Sequence, residues 1–457
     1  MEFFGIVGGT AGYVLAFIVA LSIIVAVHEY GHYIVGRWCG IHAEVFSLGF
    51  GRVLWSRRDK RGTEWQIAAL PFGGYVKFMG DANAASAGVD GEAMAGLSEA
   101  EKRRTMPGAP VWARAATVAA GPIFNFILSF FIFAVIALTR GVAVEPVQVG
   151  TLEPLPQQVR VLEEGDVILS IGATEITDLN SVYEAAASLD LTQPVIYRIE
   201  RDGQEMEIAG TTPFPPLISA VSPGSAAIDA GLEVGDVVTA IDGQKITAFI
   251  ELQELVKAGE GTPVALEVWR DGEVMAFTLK PRETPVPLPD GSFETRYLIG
   301  INGGLAFEPA TVQRGVWGSA SYGVRQTWFI VTSSISGLYN MIAGNISSCG
   351  LSGPIKIATT AGQMASQGGE SFIWFVAVLS TAVGLLNLFP IPVLDGGHLV
   401  FHAYEAVTGK PPPEKLLNVL MGIGLALILS LMVFALPMIF MAPSIMCSSS
   451  RTFPGQS

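Results

Sequence analysis

The stretch YVLAFIVALSIIVAVHEYGHYIV, Tyr13 to Val35, reads as a membrane span that ends in the pentapeptide His28-Glu29-Tyr30-Gly31-His32. No Asp, Glu, Lys or Arg lies between Glu2 and Glu29. Side chains at i and i+4 leave a helix from one face, so His28 and His32 can offer two imidazoles to one zinc ion, with Glu29 beside them as general base. Ionisable groups are costly at membrane depth, and a cluster of them there points to function.

Half of the 457 residues are hydrophobic and the mean hydropathy is +0.47, which excludes an ordinary soluble globule. Spans are expected at Tyr13–Val35, Val111–Leu138, Phe372–Phe389 and Leu416–Met441. The first is too long for a removable signal peptide and lacks a small-residue cleavage site after its apolar core. The fold class is therefore an α-helical polytopic membrane protein with four transmembrane helices and soluble insertions. Gly36 to Pro110 carries ten Lys or Arg, including Arg57, Arg58, Lys60 and Arg61, which places that loop in the cytoplasm and the N-terminus outside. Arg140 to Glu370 holds 13 basic and 28 acidic residues, enough to account for the net charge of −14. Acidity thus belongs to the external insertion and argues against nucleic-acid binding there. Cys39, Cys349 and Cys447 show no framework spacing and are read as unpaired, with a Cys349–Cys447 bridge outside the membrane as the alternative.

The insertion contains a repeat. EEGDVILSIGATEI at Glu163 answers EVGDVVTAIDGQKI at Glu233, and YRIERDG at Tyr197 answers LEVWRDG at Leu266, an offset of about 70 residues. Each copy reads as short strands broken by Gly-Asp turns plus one helix, a small β-rich module. SPGSAAIDAGLEVGD, Ser222 to Asp236, resembles the bacterial PDZ signature, whereas the first copy lacks its Ala-Gly-Leu step. The expected organisation is 1–40, first span; 41–110, cytoplasmic loop; 111–140, second span; 141–212 and 213–285, PDZ-like modules; 286–370, external amphipathic region; 371–400, third span; and 401–457, fourth span and tail. Within the loop, EWQIAALPFGGYVKFM, Glu64 to Met79, alternates apolar residues around Pro71 and Gly73-Gly74, the signal of a hairpin dipping into the membrane. Asp81 to Leu97 reads as a flexible link, and Glu283 to Gly291 as a Pro-rich boundary. Trp317 to Met341, with Arg325 and many Ser and Thr, reads as an interfacial helix.

Two histidines leave zinc underligated. The best third ligand is Asp395, the only acid in NLFPIPVLDGGHLVF, Asn387 to Phe401, where Pro390, Pro392 and Gly396-Gly397 break the helix as cavity-lining segments do. If the first and third spans run the same way, His32 and Asp395 meet at one depth.

Taken in order, HEYGH at His28, GGYVK at Gly73, AGPIFNF at Ala120, the repeats, SGPIKIA at Ser352 and NLFPIPVLDGGH at Asn387 make the chain resemble the site-2 protease family of intramembrane zinc metalloproteases, in its bacterial regulator-of-sigma-E branch. The resemblance implies that His28, His32 and Asp395 bind one zinc ion, that Glu29 is the catalytic base and that Asn387 helps hold the substrate strand. An edge at Gly73, Gly74 and Tyr75 could add that strand to a sheet. His398 and His402 form a second i, i+4 pair, read as packing or support rather than ligands. His42 is read as a surface residue and Cys39 as an inert buried thiol.

The expected activity is cleavage of single-pass transmembrane proteins, anti-sigma regulators or remnant signal peptides, pre-trimmed by another protease, in the bacterial inner membrane. The PDZ-like pair would stand on the periplasmic side as a size filter. A catalytically silent PDZ scaffold and a metal transporter are the alternatives, and intact Glu29 and Asp395 weigh against the first.

Overall fold

In the computed structural model the described residues are 10–81, 91–156, 162–191, 193–287, 293–313, 315–343 and 354–435. Cys349, Cys447 and the tail after Ala435 lie outside them, as does most of the Asp81–Leu97 link. Two compact units result: a mainly helical one of Met1–Ala134, Ala320–Leu338 and Ser348–Ser457, and a β-rich one of Val135–Ser319 with Tyr339–Ser347.

Three helices in the helical unit are long and apolar enough to cross a membrane: Thr10–Trp38, Val111–Arg140 and Gly369–Asn387. Their contacts fix their directions. Ala16, Ala20 and Ile24 of the first pack with Phe372 and Val376 near the start of the third. The second runs the other way: Phe133 meets Trp374, Ser129 Oγ donates to Ala377 O at 2.8 Å, and Ser380 Oγ donates to Asn125 O at 2.9 Å. Small residues permit these approaches, as in other membrane bundles. A Cβ on Gly31 would lie 2.6 Å from Ala120 O, and one on Gly384 would lie 3.0 Å from Pro122 O. The first and third spans are therefore parallel, as the placement of Asp395 requires. A helix at Glu414–Ala435 follows where the fourth span is expected.

Two further helices contribute to this unit, the second through Ala320–Leu338. Pro354–Ser366, which carries the PIKIA part of SGPIKIA, lies along the first span, with Gly362 against Tyr13 and Ala361 and Ala365 in the same cluster as Ala16 and Ala20. The amphipathic segment is a helix from Val316 to Ile342. It docks on the second span, with Gly323 against the Phe130 carbonyl and Ile330 against Phe133.

The loop after the first span forms two long strands, β1 (Ala43–Arg58) and β2 (Glu64–Phe78). Both bend, β1 at Gly49 and Gly51, whose φ values of +93° and +84° suit glycine. Arg58 to Val53 pair with Glu64 to Ala68 as an antiparallel hairpin, while the first half of β1 faces both ends of β2: Leu48 is opposite Ile67 on one side and Gly74 on the other. The two halves of the Glu64–Met79 stretch therefore do not pair with each other, since Val45–Leu48 lies between them. Alternation and a Pro-Gly-Gly turn mark a reversal of the chain but do not say which strand fills the space. Gly74–Phe78 is left as an outer edge.

In the β-rich unit both repeats form four-stranded sheets with the same strand order. In each repeat an arginine locks a strand to its Gly-Asp turn: Arg201 Nε donates to Asp166 Oδ1 at 2.7 Å in the first, and Arg270 Nη2 to Asp236 Oδ2 at 2.7 Å in the second, with Glu163 and Glu233 pairing to the same arginines. The modules are nested rather than consecutive. Ile301–Gly303 pairs with Ile218–Val221 of the second copy, Phe307–Pro309 returns to Val149–Leu152 of the first, and Thr311–Val312 pairs with Val142–Ala143. The first part of the Pro-rich stretch expected as a boundary lies in a strand, Arg282–Pro287, paired with Phe293–Leu298, and its residues 288–291 lie outside the described ones. Prolines are compatible with such a strand when their missing N–H groups face away from the partner.

Candidate active site

The first helix places His28 and His32 on the face turned to the second span. His28 Nε2 and His32 Nε2 are 3.2 Å apart. Asp395 reaches both, with Oδ2 at 3.1 Å from His28 Nε2 and Oδ1 at 3.6 Å from His32 Nε2. It can do so because the chain reverses after Asn387. Turns through Leu388–Leu394 lead into a helix that starts at Asp395, and Gly396 and Gly397 let the helix press on them: a Cβ on Gly396 would lie 2.3 Å from the carbonyl oxygens of Leu388 and Phe389.

These three side chains form the one cluster of metal-binding type among the described residues. Their fit to zinc can be tested. Ligands at about 2.0–2.1 Å in tetrahedral array stand roughly 3.3 Å from one another, near the three separations observed. The two Nε2 atoms face each other without room for two protons, and the buried Asp395 Oδ2 has no well-formed hydrogen bond. A donor set of two imidazoles and one carboxylate, with lone pairs directed at one point, suits zinc and leaves a fourth position open.

The second span supplies the surroundings. Thr117 O accepts from His32 Nδ1 at 2.8 Å, which fixes the proton on Nδ1 and frees Nε2. Gly121 makes room for the histidines, since a Cβ there would lie 2.4 Å from His32 Nε2 and 2.8 Å from His28 Cε1. Asn125, fully buried, places its amide 3.2 Å from His28 Nδ1. Gly121 and Asn125 lie in AGPIFNF, a motif to which the sequence alone assigns no role, and Thr117 lies just before it. A Gly-Pro pair and an Asn inside an apolar span were the signal available.

Glu29 lies on another side of the helix, against β2 at Gly74 and Val76. The Val76 backbone N–H donates to its carboxylate, and a Cβ on Gly74 would sit 3.0 Å from Glu29 Cγ. Gly73 packs under the Phe50 ring, and Tyr75 stacks on Phe50 with ring centroids 6.1 Å apart while accepting a hydrogen bond from Gln66 at 2.9 Å. Asn387 ends the third span, eight residues before Asp395 and half-buried. An apolar cavity of about 410 Å³ lies between the first helix and the sheet, lined by Val27, Tyr30, Phe46, Trp55 and Trp65.

His398 and His402 follow Asp395 on its helix and are not in the ligand cluster. Farther along, Glu405 takes a bidentate ion pair from Arg114 at the start of the second span, with distances of 2.7 and 3.0 Å. Cys39 is half-buried and unpaired.

Residues 16–431 match the family model of peptidase family M50. A putative zinc metalloprotease of Agrobacterium fabrum is 37% identical over 432 residues, covering 94% of this chain and 95% of the relative. The regulator of sigma-E protease RseP of Salmonella typhimurium is 33% identical over 458 residues, covering 92% and 96%. A putative zinc metalloprotease of Vibrio cholerae is 34% identical over 453 residues, covering 92% and 97%.

Proposed function

The chain belongs to peptidase family M50 and is a zinc metalloprotease, and we propose that it cuts single-pass transmembrane segments within the membrane, with His28, His32 and Asp395 as zinc ligands and Glu29 as the catalytic base. The observation that carries this reading is the junction of the ligand cluster with a strand edge. Glu29 stands between the histidines of its own helix and the side of Gly74–Tyr75 opposite to its β1 partners Ser47 and Leu48, where no second strand pairs among the described residues.

His28, His32 and Asp395 would hold the zinc ion, which when bound would supply Lewis acidity. Glu29 takes the proton of the attacking water and delivers it to the departing amine nitrogen. Peptide bonds in a helix are shielded, so a transmembrane substrate must be drawn out first. The edge Gly73-Gly74-Tyr75 can pair with an extended segment by strand addition, and its glycines let that backbone come close to Glu29. Asn387 holds the segment from the other side. The apolar cavity beside Tyr30 suits a side chain from a membrane-spanning sequence.

The name of the Salmonella relative supports an anti-sigma regulator as substrate, and remnant signal peptides share the same chemistry. The helix at Glu414–Ala435 serves as the fourth span in the bacterial inner membrane. The basic loop lies in the cytoplasm and the acidic modules, read as PDZ-like, lie in the periplasm. There they exclude substrates that another protease has not trimmed.

The test is Glu29→Gln in detergent-solubilised enzyme, with a panel of single-span substrates. Zinc near one per chain in both proteins, with cleavage by the wild type alone, is the expected pattern. Full activity in the variant would overturn the assignment.

A further inference from the structure

Asn125 is 0% exposed, yet its Oδ1 has no hydrogen-bond partner, while its Nδ2 lies 3.2 Å from His28 Nδ1. A buried amide oxygen left unsatisfied costs about 1–3 kcal/mol. The chemistry of the site supplies its partner. A histidine that ligates through Nε2 carries its proton on Nδ1, so the group facing Nδ1 must accept. A half-turn of the amide about Cβ–Cγ brings Oδ1 onto His28 Nδ1–H and removes the donor-to-donor contact.

We propose that Asn125 is a positioning residue for zinc: its amide oxygen accepts from His28 Nδ1–H, holding the ring in the tautomer and plane that aim Nε2 at the metal. The inference rests on His28 being a ligand. Thr117 O does the same for His32 from two turns earlier on the same helix, so one face of the second span orients both rings. Asn125 is itself held: its backbone oxygen accepts from Ser380 of the third span, and Gly384 packs on its Cβ. The first, second and third spans are thus joined through this one residue.

Zinc affinity of full-length protein in detergent, measured by chelator competition, tests this apart from proteolysis. Asn125→Leu keeps the volume and removes the acceptor, and its affinity is expected to fall about 10- to 100-fold. Asn125→Asp keeps an acceptor at the same place and is expected to stay within about threefold of wild type or to bind tighter, as carboxylate–histidine–zinc sites do. Ser380→Ala cuts the neighbouring interhelical bond and leaves His28 untouched, so its affinity should not change; a tenfold loss there would make Asn125 a packing residue only. An Asn125→Leu protein that binds zinc like wild type, or an Asn125→Asp protein weakened more than tenfold, overturns the proposal. His28→Ala separates the two layers. Loss of zinc there with retention in Asn125→Leu refutes only the role of Asn125, whereas zinc retained in His28→Ala refutes the ligand assignment itself.

Discussion

Gly121→Ala adds one methyl group at the narrowest point of the site. The new Cβ would lie 2.4 Å from His32 Nε2, 2.5 Å from His32 Cε1 and 2.8 Å from His28 Cε1, where ordinary contact begins at about 3.4 Å. Something must therefore move by about 1 Å. The His32 ring cannot swing away without breaking its 2.8 Å bond to Thr117 O, on the same helix as the new methyl. Nor can the helices part freely, because Gly31 already sits against the Ala120 carbonyl and that packing would be lost. Metal sites tolerate about 0.2 Å in ligand distance, so the required shift exceeds the tolerance about fivefold. Zinc content should drop well below one per chain, and cleavage should fall at least about 100-fold, the usual consequence of a 1 Å misplacement. Global stability moves little by comparison: overpacking costs about 1–3 kcal/mol, and alanine in place of glycine returns up to about 1 kcal/mol of helix propensity. Mass-spectrometric zinc content, thermal unfolding and cleavage, measured on one preparation, separate these effects. Gly337→Ala, with open space around its Cβ, is the control. A Gly121→Ala enzyme with one zinc per chain and wild-type cleavage would refute the close packing of the second span on the histidines.

Three further outcomes are expected. Arg114→Met or Glu405→Gln should each destabilise the helical unit by about 3 kcal/mol, because the pair is about 85% buried on both sides and either change strands its partner; a double-mutant cycle in thermal unfolding that shows no coupling would refute this. Single cysteines at Gly62 and Gly409 should be labelled from the cytoplasm, and those at Gly203, Gly272 and Gly318 from outside; any cytoplasmic labelling among the last three would overturn the topology. Because Val142–Ala143 pairs with Thr311–Val312, both modules can be removed between Val144 and Ala310 with a short flexible linker; the shortened enzyme should cut untrimmed substrates and cut trimmed ones at an unchanged rate, and continued discrimination by external domain size would place the filter elsewhere.

What the sequence discloses here depends on the range of the interaction that each residue serves. His28 and His32 are legible because helix periodicity alone puts them on one face, and Asp395 because a lone acid among Pro and Gly in an apolar segment has few structural uses. The repeat is legible because its Gly-Asp turns are local. Its nesting is not, since Ile301–Gly303 and Phe307–Pro309 are ordinary short strands until the partners at Ile218 and Val149 are known. The same holds for the sheet beside Glu29. Alternation in Glu64–Met79 announces strands and a turn, yet the intervening Val45–Leu48 comes from another part of the chain. Residues that support the site, Thr117, Gly121 and Asn125, are spaced by four and share a helix face, but a small or polar position every four residues in an apolar span is equally the pattern of plain helix packing. Only the distances to His28 and His32 set these residues apart from plain packing, and so the three side chains that come together could be named from the sequence whereas the groups around them could not.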